Sequence, residues 1–482
     1  MAQNTAVACG FSESSEQQIA MTWPRKREFI FGSIFDMKVL IVSVWFPPAN
    51  VVGAIRVGKL ARYLDRHGHE VRVLTTNIGG DQSLPLEIPI EQVIYTDYQQ
   101  RSDQIVALFG KFSRRRPAAA LGTSHESPIE GKQPGKSARE WLQRHYHALI
   151  HILDMRNDWL KTALPAGRRL VEEWRADIIF ASAPPYTGLI VASRLSRAFS
   201  IPWIADFRDL WADNPYYGSP PWRRLIDRVI ELITLRSASA LVTISPHLAR
   251  HLQALHHKHV EVVFNGYAEE DFPKPPVEGC TSGPLTIRYT GGIYRKFREP
   301  SPLFAAIGLL EDELRQQIRV EFFGEEDSDV KALADSHGIA DVIATRPHVP
   351  HRTALELQLQ ADVLLLLQRN NKRDEGTIPA KLFEYLYARR PILHIGYEHG
   401  AAAELIKKRG AGLISNSPEC IRDQLQTWLA QKRSRSLQRL APSVSLGLSR
   451  DEQYRKIEHV FADVLSRDAP IVESSGTALG DE

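Results

Sequence analysis

Short apolar runs alternate with amphipathic segments along much of this chain, and few folds can accommodate that pattern. Val39–Val44 is apolar except for Ser43, as expected of a strand buried on both faces. Residues 57–64 then repeat apolar side chains at helical spacing, and Val71–Leu74 is a second apolar run. A strand, a helix and another strand in this order predict a parallel βαβ unit, and with it an α/β protein.

A proline-rich segment divides the alternating pattern into two blocks. The first block runs to a strand predicted at Val260–Phe264, and the second starts with a strand predicted at Leu285–Tyr289. Residues 272–284 between them are rich in Pro, Gly and Ser, which is typical of an interdomain linker. We therefore expect two doubly wound α/β domains, each with its own parallel sheet.

The expected domain boundaries follow from these changes in pattern and composition. The segment Met37-Lys38-Val39-Leu40 looks like a natural start, so the residues before it are expected to be a disordered extension or a misassigned start. The full assignment is an extension at 1–36, an N-terminal Rossmann-like domain at 37–276, a linker at 277–284, a C-terminal Rossmann-like domain at 285–450, a helix at 451–466 that we expect to cross back, and a disordered tail at 467–482.

The bulk composition excludes several classes of partner and location. A net charge of +3 is too weak to indicate a nucleic-acid-binding protein. The three cysteines, Cys9, Cys280 and Cys420, lie far apart without metal-ligand spacing, which fits a reducing compartment. No apolar run reaches the ~18 residues of a membrane-spanning helix. We expect a cytoplasmic protein, either free or at the inner face of the membrane, that does not bind nucleic acid.

Residues 100–140 differ from the rest of the first block. They are rich in Ser, Gly, Pro, Arg and Lys, and include the basic run Lys111–Arg116. We predict a long, mobile, basic loop. A solvated surface insertion is the favoured interpretation. The alternative is peripheral contact with an anionic membrane, which would contribute about 1 kcal/mol per basic residue near the surface.

The segment Gly376–Leu386 combines two features that suit a phosphorylated ligand. It follows a buried-looking strand, and Pro379 stands where a helix would begin. The N–H groups of a first helical turn form an anion site, and Lys381 lies beside them. Glu384 follows one turn later among apolar residues, where it could accept hydrogen bonds from ribose hydroxyls. The alternative is a surface glutamate on an ordinary helix.

Unusual loops follow the carboxyl ends of many predicted strands, where open parallel sheets bind ligands. Each loop alone is weak evidence for a ligand site. Gly291-Gly292 could form a tight turn, and Asp206, Arg208 and Asp209 could form a structural ion pair. Together the loops predict one cleft lined from both domains. The residues concerned are Gly53, Arg56, Pro184, Asp206, Arg208, Asp209, Asn265, Gly291, Gly292, Arg295, Lys296 and Arg298.

Several common cofactor motifs are missing from the sequence. No G-x-G-x-x-G follows the first strand and no G-x-x-x-x-G-K-[ST] occurs, which disfavours a dinucleotide cofactor and a P-loop nucleotidase. His348 and His351 could be taken for metal ligands, but Pro350 breaks the helix that would align them. We expect no metal site and no cofactor.

Five segments share the motifs of one enzyme family: Met37–Val42 with Phe46-Pro47-Pro48, Gly53 and Arg56; Pro202–Trp211; Asn265-Gly266; Tyr289-Thr290-Gly291; and Pro379–Leu386. Over about residues 37–465 the chain resembles a family-4-like (group 1) glycosyltransferase. The resemblance implies the GT-B fold, two Rossmann-like domains facing across a cleft. It also implies metal-independent, retaining transfer of a hexose from a nucleotide-diphosphate sugar to a lipid-linked or polysaccharide acceptor, as in lipopolysaccharide biosynthesis.

The resemblance also implies residue roles. The C-terminal domain would bind the donor, with Glu384 on the ribose and Arg298, with Arg295 or Lys296, on the departing diphosphate. The N-terminal domain would bind the acceptor. Three groups of residues are therefore assigned: catalytic residues Asp206, Arg208, Asp209 and Arg298; donor-binding residues Gly291, Gly292, Arg295, Lys296, Gly376, Thr377, Ile378, Lys381, Leu382 and Glu384; and residues facing the acceptor or phosphates, Gly53, Arg56, Pro184 and Asn265.

Three departures from the family pattern keep alternatives open. Gly376 stands where the first glutamate of the family's E-x7-E motif is expected, and Glu375 is one residue early. The family's frequent His-Asp pair is Arg208-Asp209, and the arginine after its glycine turn is Gly292. The alternatives are a non-catalytic partner that binds sugar nucleotides and a sugar-nucleotide 2-epimerase.

Overall fold

The computed structural model describes residues 36–77, 81–98, 157–216, 220–273, 283–292, 298–324, 328–435 and 437–468. Several predictions fall outside these residues. They concern nearly all of the N-terminal extension, the basic loop at 100–140, most of the linker, Arg295 and Lys296, and all but the start of the C-terminal tail.

The N-terminal half is a parallel sheet of seven strands with helices on both faces. Its strands are β1 (Lys38–Ser43), β2 (Glu70–Asn77), β3 (Val93–Asp97), β4 (Ile178–Ala183), β5 (Trp203–Phe207), β6 (Ala240–Thr243) and β7 (Val260–Val262), in the order β3-β2-β1-β4-β5-β6-β7. Its helices are α1 (Val52–Arg66), α2 (Leu160–Trp174), α3 (Thr187–Phe199), α4 (Pro221–Leu235) and α5 (Pro246–His256). The apolar runs of β4 and β5 are wholly buried, because helices cover both faces of the sheet.

The C-terminal half repeats this architecture with six parallel strands. These are β8 (Leu285–Thr290), β9 (Ile318–Phe323), β10 (Ile343–Arg346), β11 (Val363–Leu367), β12 (Ile392–Ile395) and β13 (Gly412–Ile414), in the order β10-β9-β8-β11-β12-β13. Its helices are α6 (Ser301–Gly308), α7 (Asp312–Arg315), α8 (Ser328–Ser336), α9 (His351–Gln360), α10 (Ala380–Ala388), α11 (Ala401–Arg409) and α12 (Pro418–Arg433). The predicted fold class of two doubly wound halves is confirmed.

Both sheets reverse their strand order beside their first strand. In the N-terminal sheet β1 pairs with β2 on one side and β4 on the other, and in the C-terminal sheet β8 lies between β9 and β11. Ligands of open parallel sheets bind beyond the carboxyl ends of the strands at such a reversal. The loops that follow β1, β4, β8 and β11 therefore define where the site should lie.

The last helix, α13 (Arg450–Asp468), packs against the N-terminal half. Tyr454 donates a hydrogen bond to the carbonyl oxygen of Arg56 over 3.0 Å, and the Phe461 ring lies 5.8 Å from that of Phe180. Glu458 is buried and accepts a hydrogen bond from Tyr63 over 2.8 Å. The chain thus returns, after the second sheet, to complete the core of the first.

The two segments that join the halves lie side by side. Tyr267 and Ser449 form a parallel bridge, in which the Tyr267 N–H donates to Leu448 and the Arg450 N–H to Tyr267 over 3.1 and 2.7 Å. Gly266 has φ +65°, and a Cβ there would lie 2.9 Å from the Leu448 oxygen. The close approach of the two segments therefore requires glycine at 266. No helix among the described residues is long and apolar enough to span a bilayer.

Candidate active site

The first turn of α10 faces the carboxyl end of β8. Lys381 donates a hydrogen bond from Nζ to the carbonyl oxygen of Thr290 over 2.7 Å. Gly291, with φ +132°, leaves room for this side chain, since a Cβ there would lie 2.5 Å from Lys381 Nζ. Among the described residues no side chain caps the N-terminus of α10, which starts after Pro379. The backbone N–H groups and the ammonium therefore point to one edge of the sheet, as an anion would require.

A buried tyrosine lies between two cations at this edge. Lys381 Nζ is 4.2 Å from the centre of the Tyr289 ring, and the hydroxyl of Tyr289 donates to the Gly292 carbonyl over 3.1 Å. Arg298 donates to the same carbonyl over 3.2 Å. Burial raises the pKa of Tyr289, but the charges of Lys381 and Arg298 outweigh burial and leave that pKa below its ordinary value. The two cations therefore make this edge of the sheet electropositive.

Glu384 lies one turn along α10 and is held by two residues of α9. Its carboxylate oxygens are 2.9 Å from His351 Nε2 and 3.0 Å from Gln358 Nε2. Burial raises the pKa of Glu384, but the hydrogen bond and charge of His351 bring it below its usual value. The same hydrogen bond raises the pKa of His351 against the effect of burial. Glu384 is therefore an oriented carboxylate rather than a loose surface residue.

His351 and Gln358 are site residues that the sequence did not reveal. Pro350 precedes His351, which starts α9, so His348 lies outside the helix and the two histidines are not aligned on it, as predicted. Gln358 donates both to Glu384 and to the Thr290 hydroxyl, each over 3.0 Å, and thereby ties α9 to β8 and α10. The only sequence signal for this role was the presence of polar residues on an otherwise apolar helix face.

The position of the missing glutamate is filled by the other half of the protein. A Cβ built at Gly376 would lie 2.8 Å from Leu248 Cδ2, in α5, and 3.6 Å from Ser245 Oγ. Glu375 is directed to α5 as well, with its Oε1 3.6 Å from His247 Nε2. A side chain at 376 would therefore collide with Leu248 in the present contact between the halves, and one of the two would have to shift.

Restoring a glutamate at Gly376 is expected to destabilise the protein by about 1–3 kcal/mol, the usual cost of overpacking. Leu248→Ala, which removes the obstructing methyl groups, should relieve most of that cost in the double variant. Urea unfolding of the two single variants and the double variant measures the coupling. Strictly additive effects would contradict the proposed collision.

On the N-terminal side, Gly53 and Arg208 are in direct contact. Any Cβ at Gly53 would overlap Arg208 Nη1, so the guanidinium occupies the space that glycine leaves. The same group donates to the carbonyl oxygens of Pro184 and, over 3.3 Å, Ala183. Three residues predicted from separate loops are thus brought together beyond β4 and β5.

Asp206 and Arg56 form a buried ion pair below this surface. Arg56 donates to both carboxylate oxygens of Asp206, over 3.0 and 2.8 Å, and Ser182 adds a third hydrogen bond of 2.7 Å. Arg56 Nη1 also lies 3.3 Å from Asn265 Oδ1. Asp206 is completely buried, and its contacts support the loops after β1, β5 and β7. Contact between Asp206 and the substrate stays a prediction.

Asp209 follows Arg208 on the loop after β5. Burial raises its pKa to about 6, and the charge of Arg208 opposes the rise. Beyond it, Tyr216 donates a hydrogen bond to Asp374 and lies 3.3 Å from Thr377 Oγ1, both in the C-terminal half. Burial also raises the pKa of Asp374, although the Tyr216 hydrogen bond lowers it. Tyr216 and Asp374, neither singled out by the sequence, connect the halves here.

The raised pKa of Asp209 predicts a pH-dependent stability difference. Its folded-state pKa of about 6 exceeds the usual value near 4, so stability falls as pH rises between these values and stays reduced above pH 6. Asp209→Asn carries no titrating charge there. Its melting temperature relative to wild type should therefore rise from about pH 4 to pH 6 and then level off. A difference that is independent of pH would contradict the assignment.

The remaining predicted residues occupy supporting positions. The side chains of Ile378 and Leu382 are buried in the core, so only their backbone could meet a ligand. The Thr377 carbonyl lies 3.3 Å from Gln368 Nε2, on the loop after β11. Within the part of the chain that the structure describes, no group of three or more His, Cys, Asp or Glu could hold a metal ion.

Comparison with known proteins places this arrangement in a family context. Residues 53–268 match the glycosyl transferase 4-like domain family. No curated protein matches the sequence significantly. The matched segment runs from the glycine that contacts Arg208 to the loop that joins the two halves.

Solved structures share the fold at low sequence identity. A glycosyltransferase from Rickettsia africae ESF-5 is 13% identical, with a TM-score of 0.53 over 89% of this chain and 99% of that one. Anabaena HepE in complex with UDP is 12% identical, with a TM-score of 0.55 over 89% and 100%. The lipopolysaccharide outer core galactosyltransferase WaaB is 10% identical, with a TM-score of 0.54 over the same shares. The chain therefore has the GT-B fold of these glycosyltransferase structures, and its residues 53–268 match the glycosyl transferase 4-like domain family.

Proposed function

We propose that this protein is a retaining, metal-independent hexosyltransferase. It would move a sugar from a nucleotide-diphosphate donor to a lipid-linked or polysaccharide acceptor of a cell-surface glycan. The observation that carries the proposal is the joint placement of Lys381 and Glu384 on α10 at the carboxyl end of β8. The Lys381 ammonium suits a diphosphate, and the Glu384 carboxylate suits the ribose beside it.

Negative charge develops on the diphosphate as its bond to the sugar breaks. Fixed cations and backbone N–H groups stabilise such charge best where water is excluded. Lys381 and the first turn of α10 would contact the phosphates, and Arg298 would add its charge from the adjacent loop. Because these groups are already held by Thr290 and Gly292, little reorganisation would accompany the reaction.

Glu384 would bind the ribose through oxygens that His351 and Gln358 now orient. A carboxylate accepts hydrogen bonds only, and the two ribose hydroxyls are donors of suitable spacing. The lowered pKa of Glu384 keeps it ionised at neutral pH. The raised pKa of His351 favours its charged form, which would add to the attraction for the nucleotide.

The acceptor would enter from the N-terminal side, where Asp209 and Arg208 lie. Contacts such as Tyr216 with Asp374 would close the cleft and limit hydrolysis of the donor. Support for the donor class comes from HepE, which has been solved with UDP and with UDP-glucose. Support for the acceptor class comes from WaaB, which acts in the lipopolysaccharide outer core.

One observation favours a second candidate, a partner protein that binds nucleotide sugars without transferring them. Leu248 lies against Gly376, the position at which the family resemblance places the first glutamate of the E-x7-E motif. A protein that retains the ribose and diphosphate contacts but lacks this group could bind the donor and fail to orient it.

A donor panel separates the two candidates. Thermal shift against UDP, GDP and ADP sugars identifies the ligand, because binding to the folded state raises its apparent stability. Transfer to lipid-linked and oligosaccharide acceptors is then followed with the best donor, with and without EDTA. Transfer that survives EDTA supports the main proposal. Binding without transfer supports the partner protein, and conversion of the free donor to its 2-epimer would identify an epimerase.

A further inference from the structure

Helix α4 has its polar and apolar sides reversed. The charged residues Arg223, Asp227 and Glu231 are buried, whereas a row of large aliphatic side chains faces solvent. Half of the ten large hydrophobic residues that are exposed in the described part of the chain lie on this one helix. They are Leu225, Ile226, Val229, Leu232 and Ile233.

These five residues form one continuous stripe. Their positions repeat at i, i+1, i+4, i+7 and i+8, and at about 100° per residue they span an arc of roughly 120°. An arc of that width is typical of a helix face that packs against an apolar phase. Contiguous exposed apolar surface of this kind on a folded protein marks an interaction site.

The buried face explains why the helix is stable with its aliphatic side outward. Arg223 donates two hydrogen bonds to Asp227, over 2.9 and 2.8 Å, and Glu231 accepts one from the backbone N–H of Ala212 over 3.2 Å. The Arg223–Asp227 pair satisfies these two charges within the helix, and the Glu231 hydrogen bond fastens the inner face to the preceding loop. The outward stripe is therefore not needed for packing within this half.

The charges around the stripe indicate which partner it fits. Both carboxylates of α4, Asp227 and Glu231, are buried and paired. The charged side chains exposed on α4 and its C-terminal cap are Arg224, which is also paired with Asp213, and Arg236. Arg197 lies exposed on the neighbouring α3, where it bonds the Ile233 carbonyl. An aliphatic stripe bordered by arginines complements a surface that is apolar inside and anionic at its rim.

We propose that α4 is a membrane-docking helix that lies in the interface of an anionic lipid bilayer. Its aliphatic stripe would enter the acyl boundary, and Arg224, Arg236 and Arg197 would meet lipid phosphates. The helix follows directly on the loop that carries Asp209 and Tyr216, so docking would bring the cleft close to the lipid surface. The proposal does not depend on the transferase activity, since lipid binding is measured without a donor.

Vesicle co-sedimentation of the full chain tests the proposal. Wild type is expected to bind vesicles of equimolar phosphatidylcholine and phosphatidylglycerol, and to bind phosphatidylcholine alone at least tenfold more weakly. Leu225→Asp combined with Ile233→Asp should lower binding to the mixed vesicles more than tenfold, because both stripe contacts are lost. Both residues are exposed, at 66% and 57%, so the melting temperature should stay unchanged.

A matched control uses exposed leucines outside the stripe. Leu446 and Leu309 are 69% and 50% exposed, and Leu446→Asp with Leu309→Asp adds the same charge without touching α4. Wild-type vesicle binding by this control supports the proposal. Equal loss in both double variants, or no vesicle binding by wild type, would overturn it. Lipid-free self-association that the α4 variant abolishes would also overturn it, in favour of a second copy of the chain as the occupant.

Discussion

Lys381→Met is expected to lower kcat by about 100- to 1,000-fold, the usual effect of removing one group that stabilises developing charge. Methionine keeps the volume and stem of the side chain, so Gly291 and Tyr289 retain their packing. The ammonium, which now lies 2.7 Å from the Thr290 carbonyl, would be lost from the site of the leaving diphosphate. Steady-state kinetics with the donor identified by thermal shift measure the effect.

The control is Lys407→Met, which removes an exposed lysine from α11 and should leave kcat unchanged. A second comparison uses the free nucleoside. Because Lys381 is assigned to the phosphates, its variant should bind nucleoside diphosphate more weakly and bind the nucleoside as wild type does. Equal losses for both ligands would show that the assignment to the diphosphate is wrong.

Glu384→Ala is expected to weaken donor binding by roughly 10- to 100-fold, since a hydrogen bond to a charged group contributes about 1.5–3 kcal/mol. In this variant the affinity for the nucleoside should fall together with the affinity for the donor, whereas Lys381→Met should bind the nucleoside as wild type does. Isothermal titration calorimetry with donor, nucleoside diphosphate and nucleoside distinguishes the two. Glu384→Gln, which keeps the shape but loses the charge, should fall between alanine and wild type.

The matched control for this variant is Glu356→Ala. Glu356 lies on α9 and is exposed, with its Oε1 4.0 Å from Arg352. Loss of Glu384 should also return the pKa of His351 toward its ordinary value, because that hydrogen bond is what raises it. An NMR titration of His351 in Glu384→Ala and in Glu356→Ala would reveal this change in pKa. Unchanged donor affinity in Glu384→Ala would remove the ribose assignment.

The local features of the site were predictable, because they depend on neighbours in the chain. Pro379 and the apolar repeat after it place α10, and with it Lys381 and Glu384, beyond a buried strand. The partners of Glu384 were not predictable in this way. His351 and Gln358 lie 33 and 26 residues earlier, and only the packing of α9 on α10 brings them to the carboxylate.

The other differences between the predictions and the structure also arise from contacts between distant segments. The sequence allowed a structural ion pair of Asp206 with the neighbouring Arg208, whereas the observed partner is Arg56, 150 residues away. It showed that a glutamate is missing at Gly376, but not that Leu248 of the other half lies against this position.

Some elements were missed altogether. The strands β3 and β13 lie at sheet edges and contain few buried residues. Helix α12 had a usable signal, since its buried apolar residues repeat at helical spacing after Ser417-Pro418. These residues are Ile421, Leu425, Trp428 and Leu429.

The paired segments at Tyr267 and Ser449 have a mechanical consequence. Two covalent links that are hydrogen-bonded to each other act as a single pivot, so opening of the cleft should be a rotation about one axis. Aromatic residues of this pivot rest on α10, where the ring of Phe264 lies 5.7 Å from Phe383 and that of Tyr267 lies 4.5 Å from Tyr387. A ligand that fixes the first turn of α10 would therefore act directly on the axis about which the halves turn.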